Sequence, residues 1–490
     1  MSTDSENNSF YQVKKRSVRS VFLLTSRTIL LQLINFIGYF FITIFLEVSQ
    51  FGLFILVSTF IDILGYFSDI GLAAALVQKK EEPSLEEIRS TFTTQQILVL
   101  LISAILLLCS SFIKQFYQLS QEGMWLLYSF TLAFFLSSLK TIPSVLLERK
   151  LNFSKIIIPQ LIEVIAFNVV VIFLAWKGFG LRSYAWAVLI RSILGVIVLY
   201  LIAPWEIGLN FSFSALKNLF KFGVPYQLNT LLAAVKDKFM ILFLGRIIGN
   251  NGIALMGWAE KWSTLPLRYF LDSTVKVAFP TFSRLQANKD KLKKAIEKTL
   301  YFLITIISPA LVGIALISRP FINIIPKYLK WQPAIIPLYI FCFASLWGSL
   351  AVFLTTVFNS IGKIKTTLKL MVFWTIISWI FIPILSLKFG VIGASVAVGL
   401  VNFSSIIGIF IIQKWIMIDF WGQFRGPFIG LIIMIVVNLT LQSHLPLNIL
   451  GIVSIMIISA LTYIFSLIIV DSKKLRQELI YLNEIIKTKV

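Results

Sequence analysis

Apolar residues in this chain come in runs of about twenty, separated by short polar connections, and the pattern continues from Val18 to Val470. A bilayer core of roughly 30 Å takes about 20 residues of α-helix, so each run has the length of one crossing. The spacing predicts spans at 18–45, 52–77, 90–113, 123–147, 154–176, 183–203, 215–244, 252–279, 296–318, 333–358, 364–387, 391–413, 427–443 and 447–470. None shows the period-two alternation of a membrane barrel strand. The expected fold class is therefore an all-α polytopic membrane protein of about 14 transmembrane helices.

Composition removes the alternatives. Hydrophobic residues make up 58% and charged residues 13%, against roughly 25% charged in soluble domains, and the mean hydropathy is +0.89. No soluble domain of any size remains. The first run follows Lys14, Lys15, Arg16 and Arg19, but it is too long for a signal-peptide core and lacks a small-residue cleavage site, so it reads as retained. Cys109 and Cys342 both fall inside spans, where a thiol behaves as a small apolar group. Neither a disulfide framework nor a metal site is expected. His444, the one histidine, closes the thirteenth span and reads as structural. With no phosphate-cradling glycine loop and no nucleophile motif, the chain is not expected to be an enzyme or to hydrolyse ATP.

Charge orients the helices. With a cytoplasmic N-terminus, Lys and Arg in or beside the inside connections number 28 and those outside 8, the other 8 of the 44 lying within spans. This is the positive-inside bias and places both ends in the cytoplasm. The net charge of +22 then faces anionic lipid headgroups and requires no nucleic acid. The run from Lys289 to Lys298 reads as topogenic, and the C-terminal tail, with Leu475, Leu479, Leu482 and Ile486 among basic residues, as a short interfacial helix.

The punctuation repeats. Lys177-Gly178-Phe179-Gly180 joins the fifth and sixth spans as Lys388-Phe389-Gly390 joins the eleventh and twelfth. Phe41 to Leu46 with Phe51-Gly52 matches Phe239 to Leu244 with Asn251-Gly252. Duplicated bundles are common in transporters. The expected organisation is a tail at 1–17, a lobe of six helices at 18–203, a linker at 204–214, a second lobe at 215–413, two appended helices at 414–470 and a basic tail at 471–490.

Against this background, charges inside spans stand out, because each costs roughly 2.5–3.5 kcal/mol at a helix centre and tends to face a cavity or a partner. The basic ones are Arg27, Lys140, Arg191, Lys236, Lys238, Lys261, Arg268 and Lys276, and the acidic ones Asp62, Asp69, Glu163, Asp237, Glu260 and Asp272. Lys261, Arg268, Asp272 and Lys276 follow steps of seven, four and four and share one helical stripe, with Asp272 as the salt-bridge partner of Arg268. Eight basic groups against six acidic ones leave a positive excess, which suits phosphate oxygens and not a cationic drug. The candidate headgroup ligands are Arg27, Lys236, Lys238, Lys261 and Arg268; Asp62, Asp69, Glu163, Asp237 and Glu260 are candidates for H+ or Na+ coupling. The competing reading is a set of internal salt bridges, with Lys140, Lys276 and Arg191 snorkelling to the interface. Trp258, Trp262, Tyr226 and Tyr269 are placed either to stack on sugars or simply to pack.

Three stretches carry a family likeness: Asp69-Ile70-Gly71-Leu72-Ala73-Ala74-Ala75-Leu76-Val77-Gln78; Ile142-Pro143 through Glu148-Arg149-Lys150-Leu151-Asn152-Phe153; and Val277-Ala278-Phe279-Pro280-Thr281-Phe282-Ser283-Arg284-Leu285-Gln286. On these the chain resembles the polysaccharide exporters, or Wzx-type O-antigen flippases, of the multidrug/oligosaccharidyl-lipid/polysaccharide superfamily, over nearly all of residues 17–470. The resemblance implies two six-helix lobes with inward-open and outward-open states in a bacterial plasma membrane. It implies translocation of an undecaprenyl-diphosphate-linked oligosaccharide, membrane lipids and polymerase machinery as partners, and a headgroup role for Arg27 and Arg268. Val48, where a proline usually precedes Phe-Gly, and Met256, where a tyrosine is usual, depart from the family pattern. A multidrug exporter of the same superfamily and a membrane polymerase or glycosyltransferase are the alternatives, and the product stays open among capsule, exopolysaccharide and lipopolysaccharide.

Overall fold

The computed structural model describes Thr28 and residues 30–472, and the regular structure among the described residues is helical throughout. Eleven helices are long and apolar enough to cross a bilayer, and Leu30–Phe45 (α1) is a shorter apolar one. Two of the eleven, Asp237–Leu285 and Ile364–Ile412, run to 49 residues. At 1.5 Å per residue each would reach about 74 Å, far more than one bilayer. Both turn back at a glycine: Gly249 has φ 66 and ψ −177, and Gly390 has φ 59 and ψ −135, conformations that L side chains avoid. Counted as two crossings each, and with α1 added, they bring the total to the expected fourteen.

The crossings are Val48–Gly65 (α2) with Leu72–Gln78 (α3), Leu85–Leu108 (α4) with Ser110–Tyr117 (α5), Gln121–Leu139 (α6) with Thr141–Arg149 (α7), Phe153–Trp176 (α8) and Arg182–Ile202 (α9). There follow Phe213–Ala234 (α10), Met240–Pro266 (α11), Asp272–Leu285 (α12), Lys289–Ile324 (α13), Ile335–Ser360 (α14), Ile364–Phe403 (α15) with Ile406–Ile412 (α16), Phe420–His444 (α17) and Ile449–Val470 (α18). Several helices extend beyond the apolar runs because polar caps lengthen them. Asn288 accepts from Lys291 N–H at 3.0 Å to start α13, and Asp419 accepts from Gly422 N–H at 2.9 Å to start α17. At Val48, the family's proline is replaced by a capping box in which Glu47 and Gln50 satisfy each other's backbone N–H groups.

The chain divides into two compact units, Met1–Ala254 and Leu255–Val490. In the first, α9 packs on α6 and α8, α6 on α2 and α4, and α10 on α3 and α4. One end of this unit is sealed by a core of Leu72, Leu76, Phe92, Ile142, Leu216 and Leu219, drawn from α3, α4, α7 and α10. The connection after α9 is tied down against α4: Asn210 N–H donates to Thr93 Oγ1 and Ser212 N–H to Ser90 Oγ, both at 3.1 Å, while Trp205 meets Phe92 edge-on at 5.1 Å. In the second unit α14 packs on α12, α13 and α15. The appended pair α17 and α18 packs on α13 through Tyr463 Oη to Thr305 O at 3.0 Å and Gln442 Nε2 to Leu316 O at 3.0 Å.

Candidate functional site

Charged side chains collect on the inner helices of each unit. In the first unit, Lys140 ends α6 and donates to Glu163 of α8 at 2.6 Å, the two side chains 17% and 22% exposed. Arg191 of α9 has Glu163 and Asp62 as its acidic neighbours, and its guanidinium lies 5.1 Å from the Phe167 ring centroid. Asp62 of α2 forms a short ion pair with Lys238. Gly195 makes the cluster possible, because a Cβ there would overlap the Glu163 carboxylate. Three cations thus share two carboxylates in a mostly apolar setting. Lys140 and Arg191 are held inside the unit by these contacts.

Lys238 and Asp237 lie in a π turn, Val235–Phe239, which packs against α2. Such turns add a residue to the helix and rotate the side chains that follow. Lys236 belongs to the same turn, its side chain lying outside the described residues, as does Arg27.

Asp69 has a different task. The chain between α2 and α3 breaks, and both Asp69 carboxylate oxygens accept backbone N–H groups, from Gly71 and Ala73, each at 3.1 Å. Gly71, at φ 78, sits against the backbone of Gly223 in α10, and a Cβ on Gly223 would lie 2.9 Å from the Gly71 carbonyl. Arg149 clasps the other end of α3: its guanidinium donates to the carbonyls of Leu76, Val77, Lys79 and Glu81, the Lys79 and Glu81 bonds at 2.7 Å. These contacts explain the Asp69 and Arg149 motifs as architecture.

The second unit holds Glu260, Lys261, Arg268 and Asp272. A second π turn, Leu267–Leu271, carries Arg268, and Lys261 feels the positive charge of Arg268 and the negative charge of Glu260. Among the described residues no ion pair joins Arg268 to Asp272, and a π turn stands where the spacing assumed α-helix. Trp258 is 2% exposed, stacks on Trp331 at 5.6 Å and donates to Tyr328 Oη at 3.4 Å, so it is a packing residue and not a sugar platform. Trp262 belongs to the same cluster, 6.0 Å from Trp258.

Two concavities lie in the first unit. One, of about 450 Å³, is wholly apolar, walled by Phe60, Leu64, Ile105, Phe112 and Phe116 among others. The other, of about 700 Å³, lies between α3, the end of α6, α7 and α10 and has a mixed wall, with Gln78, Ser137, Lys140, Ser144, Glu148 and Tyr226 among apolar residues. The hydroxyl residues were not singled out from sequence, although their spacing along one helix was there to be read.

The sequence model of the family described as polysaccharide biosynthesis protein matches residues 42–335. Among relatives, the lipopolysaccharide biosynthesis protein WzxC of Escherichia coli (strain K12) is 23% identical over 390 residues, which is 76% of this chain and 76% of WzxC. The succinoglycan biosynthesis transport protein ExoT of Rhizobium meliloti (strain 1021) is 20% identical over 275 residues, 56% of this chain and 55% of ExoT. Among solved structures, the lipid II flippase MurJ in an inward closed conformation superposes with a TM-score of 0.71 at 16% identity, over 92% of this chain and 100% of MurJ. An inward-facing MATE-family multidrug transporter of the MOP superfamily gives 0.59 at 16% identity, over 77% and 93%. These two superpositions establish a shared fold.

Proposed function

The chain belongs to the polysaccharide biosynthesis protein family, matched over residues 42–335, and from that premise we propose that it flips a polyprenyl-diphosphate-linked oligosaccharide from the cytoplasmic to the outer leaflet of a bacterial inner membrane. The names of WzxC, ExoT and MurJ point the same way: lipopolysaccharide, a succinoglycan transport protein and a lipid II flippase. The observation that carries the reading is the cationic excess within the spans. Lys140, Arg191 and Lys238 gather around Asp62 and Glu163 in one unit, and Lys261 lies within the field of Arg268 in the other.

Pyrophosphate dragged through hydrocarbon would lose its hydration, a cost that paired cations offset. Lys236, Lys238, Lys261 and Arg268, with Arg27, are the headgroup ligands in this reading, and the two lobes, helices 1–6 and 7–12, alternate access around them. The arriving phosphate competes with Asp62 for Lys238, while Glu163 stays with Lys140. A released carboxylate is then able to take up a proton or a sodium ion, with Asp237 and Glu260 as further coupling groups. Asp69, with both oxygens capping α3, has no part in that exchange. Both termini are cytoplasmic, the chain acts as a transporter and not as an enzyme, and polymerase machinery receives the product.

The test is the sidedness of lipid-linked oligosaccharide in cells depleted of the protein. Accumulation on the cytoplasmic leaflet, reversed by the wild type and not by Arg268→Ala, is expected. Intermediates that still reach the outer leaflet at the wild-type rate would overturn the reading.

A further inference from the structure

The polar concavity between α3, α7 and α10 offers hydrogen-bonding groups that the fold itself does not use. Helices α6 and α7 run on through Lys140 as one 29-residue span, Gln121–Arg149. Along it Ser137, Thr141, Ser144 and Glu148 recur at steps of four, three and four, which at about 100° per residue keeps all four within roughly 60° of arc. Serines in apolar helices ordinarily bond the carbonyl three or four residues back. Ser138, the immediate neighbour, does so, donating to Phe135 O at 2.7 Å. Ser137 and Ser144 do not: among the described residues neither hydroxyl makes a hydrogen bond, and the Glu148 carboxylate and Gln78 amide have no partner either. Thr141 alone is engaged, accepting from Gln95 Nε2 at 2.7 Å. Across the same concavity, Phe222 and Tyr226 of α10 stack at 5.9 Å and 17°, with both side chains exposed.

Hydroxyl, amide and carboxylate groups along one wall, with a stacked aromatic pair on another, suit a ligand that has many hydroxyls and apolar ring faces. A hydrocarbon tail would leave the wall unsatisfied and fits the apolar concavity of the same unit. A phosphate would meet the Glu148 carboxylate, and the one lysine on the wall, Lys140, is already held by Glu163 at 2.6 Å. The volume, about 700 Å³, lies in the usual range of roughly 300–1,000 Å³ for small-ligand sites. We infer that this concavity is a saccharide subsite, which holds sugar rings of the transported lipid apart from the cationic residues that hold its pyrophosphate. The inference rests on the flippase reading and adds to it the place where the glycan is felt.

The test uses the purified full-length protein in detergent and two probes: undecaprenyl diphosphate without sugar, and the sugar-bearing lipid extracted from host membranes depleted of this protein. The wild type is expected to bind the sugar-bearing lipid more tightly. Ser137→Ala/Ser144→Ala and, separately, Glu148→Gln are expected to weaken that binding about tenfold while changing the sugar-free lipid less than twofold. Equal affinity of the wild type for both lipids, or an equal loss for both in the variants, would overturn the subsite and leave the flippase reading standing. Failure of the wild type to bind either lipid would bring down the flippase reading and the subsite with it.

Discussion

Lys140 and Glu163, 2.6 Å apart and each less than a quarter exposed, form a pair whose two halves are not equivalent. Loss of the lysine leaves Glu163 with Arg191 still beside it, whereas loss of the carboxylate takes an acidic neighbour from both Lys140 and Arg191. Breaking a buried pair typically costs about 3–5 kcal/mol because of the charge left behind. Glu163→Gln is therefore expected to lower the thermal unfolding midpoint in detergent more than Lys140→Met does, and Lys140→Met/Glu163→Gln to recover part of the loss. Equal effects of the two single changes would show that Arg191 does not share the carboxylate. At this scale the sequence was half legible. The cost of a charge in hydrocarbon made Lys140, Glu163, Arg191, Asp62 and Lys238 visible one by one. Their pairing depends on contacts across 23 positions for Lys140–Glu163 and 176 for Lys238–Asp62, which no local spacing encodes. Where spacing was used, for Arg268 and Asp272, it assumed an α-helix and met a π turn. The aromatic residues were harder still, since Trp258 and Tyr226 look alike in sequence and only packing separates a buried indole from an exposed ring.

Helices here are interrupted at several points, and glycines stand at three of the breaks, Gly71, Gly249 and Gly390. Gly71 and Gly178 both have positive φ, 78° and 84°, but a Cβ at Gly178 meets nothing within 4 Å while one at Gly71 runs into the backbone of Gly223. The left-handed conformation alone costs an L-residue about 1–2 kcal/mol. Gly178→Ala should lower stability by about that much, and Gly71→Ala by clearly more, as read from thermal unfolding of the two variants side by side; equal losses would mean α3 and α10 have no need of their close approach. A related expectation concerns Arg149. Its guanidinium spans several carbonyls in the last turn of α3 and just beyond it, a geometry that the single ammonium of lysine does not reproduce. Arg149→Lys should thus behave like Arg149→Ala in the yield of folded protein, and full recovery by lysine would refute the clasp. Caps such as Asn288 and Asp419 were written locally, and the helices they begin could be anticipated in kind if not in length. The π turns at Val235–Phe239 and Leu267–Leu271 were not, because their i→i+5 bonding answers to neighbours rather than to the residues inside them.

For the whole molecule, fourteen crossings and the bias of basic residues, which predicts both ends inside, make a plain topological prediction. In a protein whose Cys109 and Cys342 are replaced, Glu81→Cys is expected to react with an impermeant thiol reagent only after the membrane is opened, and Gln118→Cys to react in intact cells. The reverse pattern would invert the orientation read from the basic residues. The number of crossings, their order and the family likeness could all be read from the chain, because bilayer thickness sets helix length. Contacts between distant helices are not written in any single span: α10 follows the expected linker at 204–214 and packs on α3 and α4. That last contact bears on how the protein is made. Helices enter the membrane in the order of synthesis, and the core of Leu72, Leu76, Phe92, Ile142, Leu216 and Leu219 stays open until α10 arrives. The first unit therefore matures only at its seventh crossing, and a nascent chain arrested just beyond Ala254 should already shield the α3–α4 connection from protease, whereas one arrested at Ile202 should leave it open to cleavage.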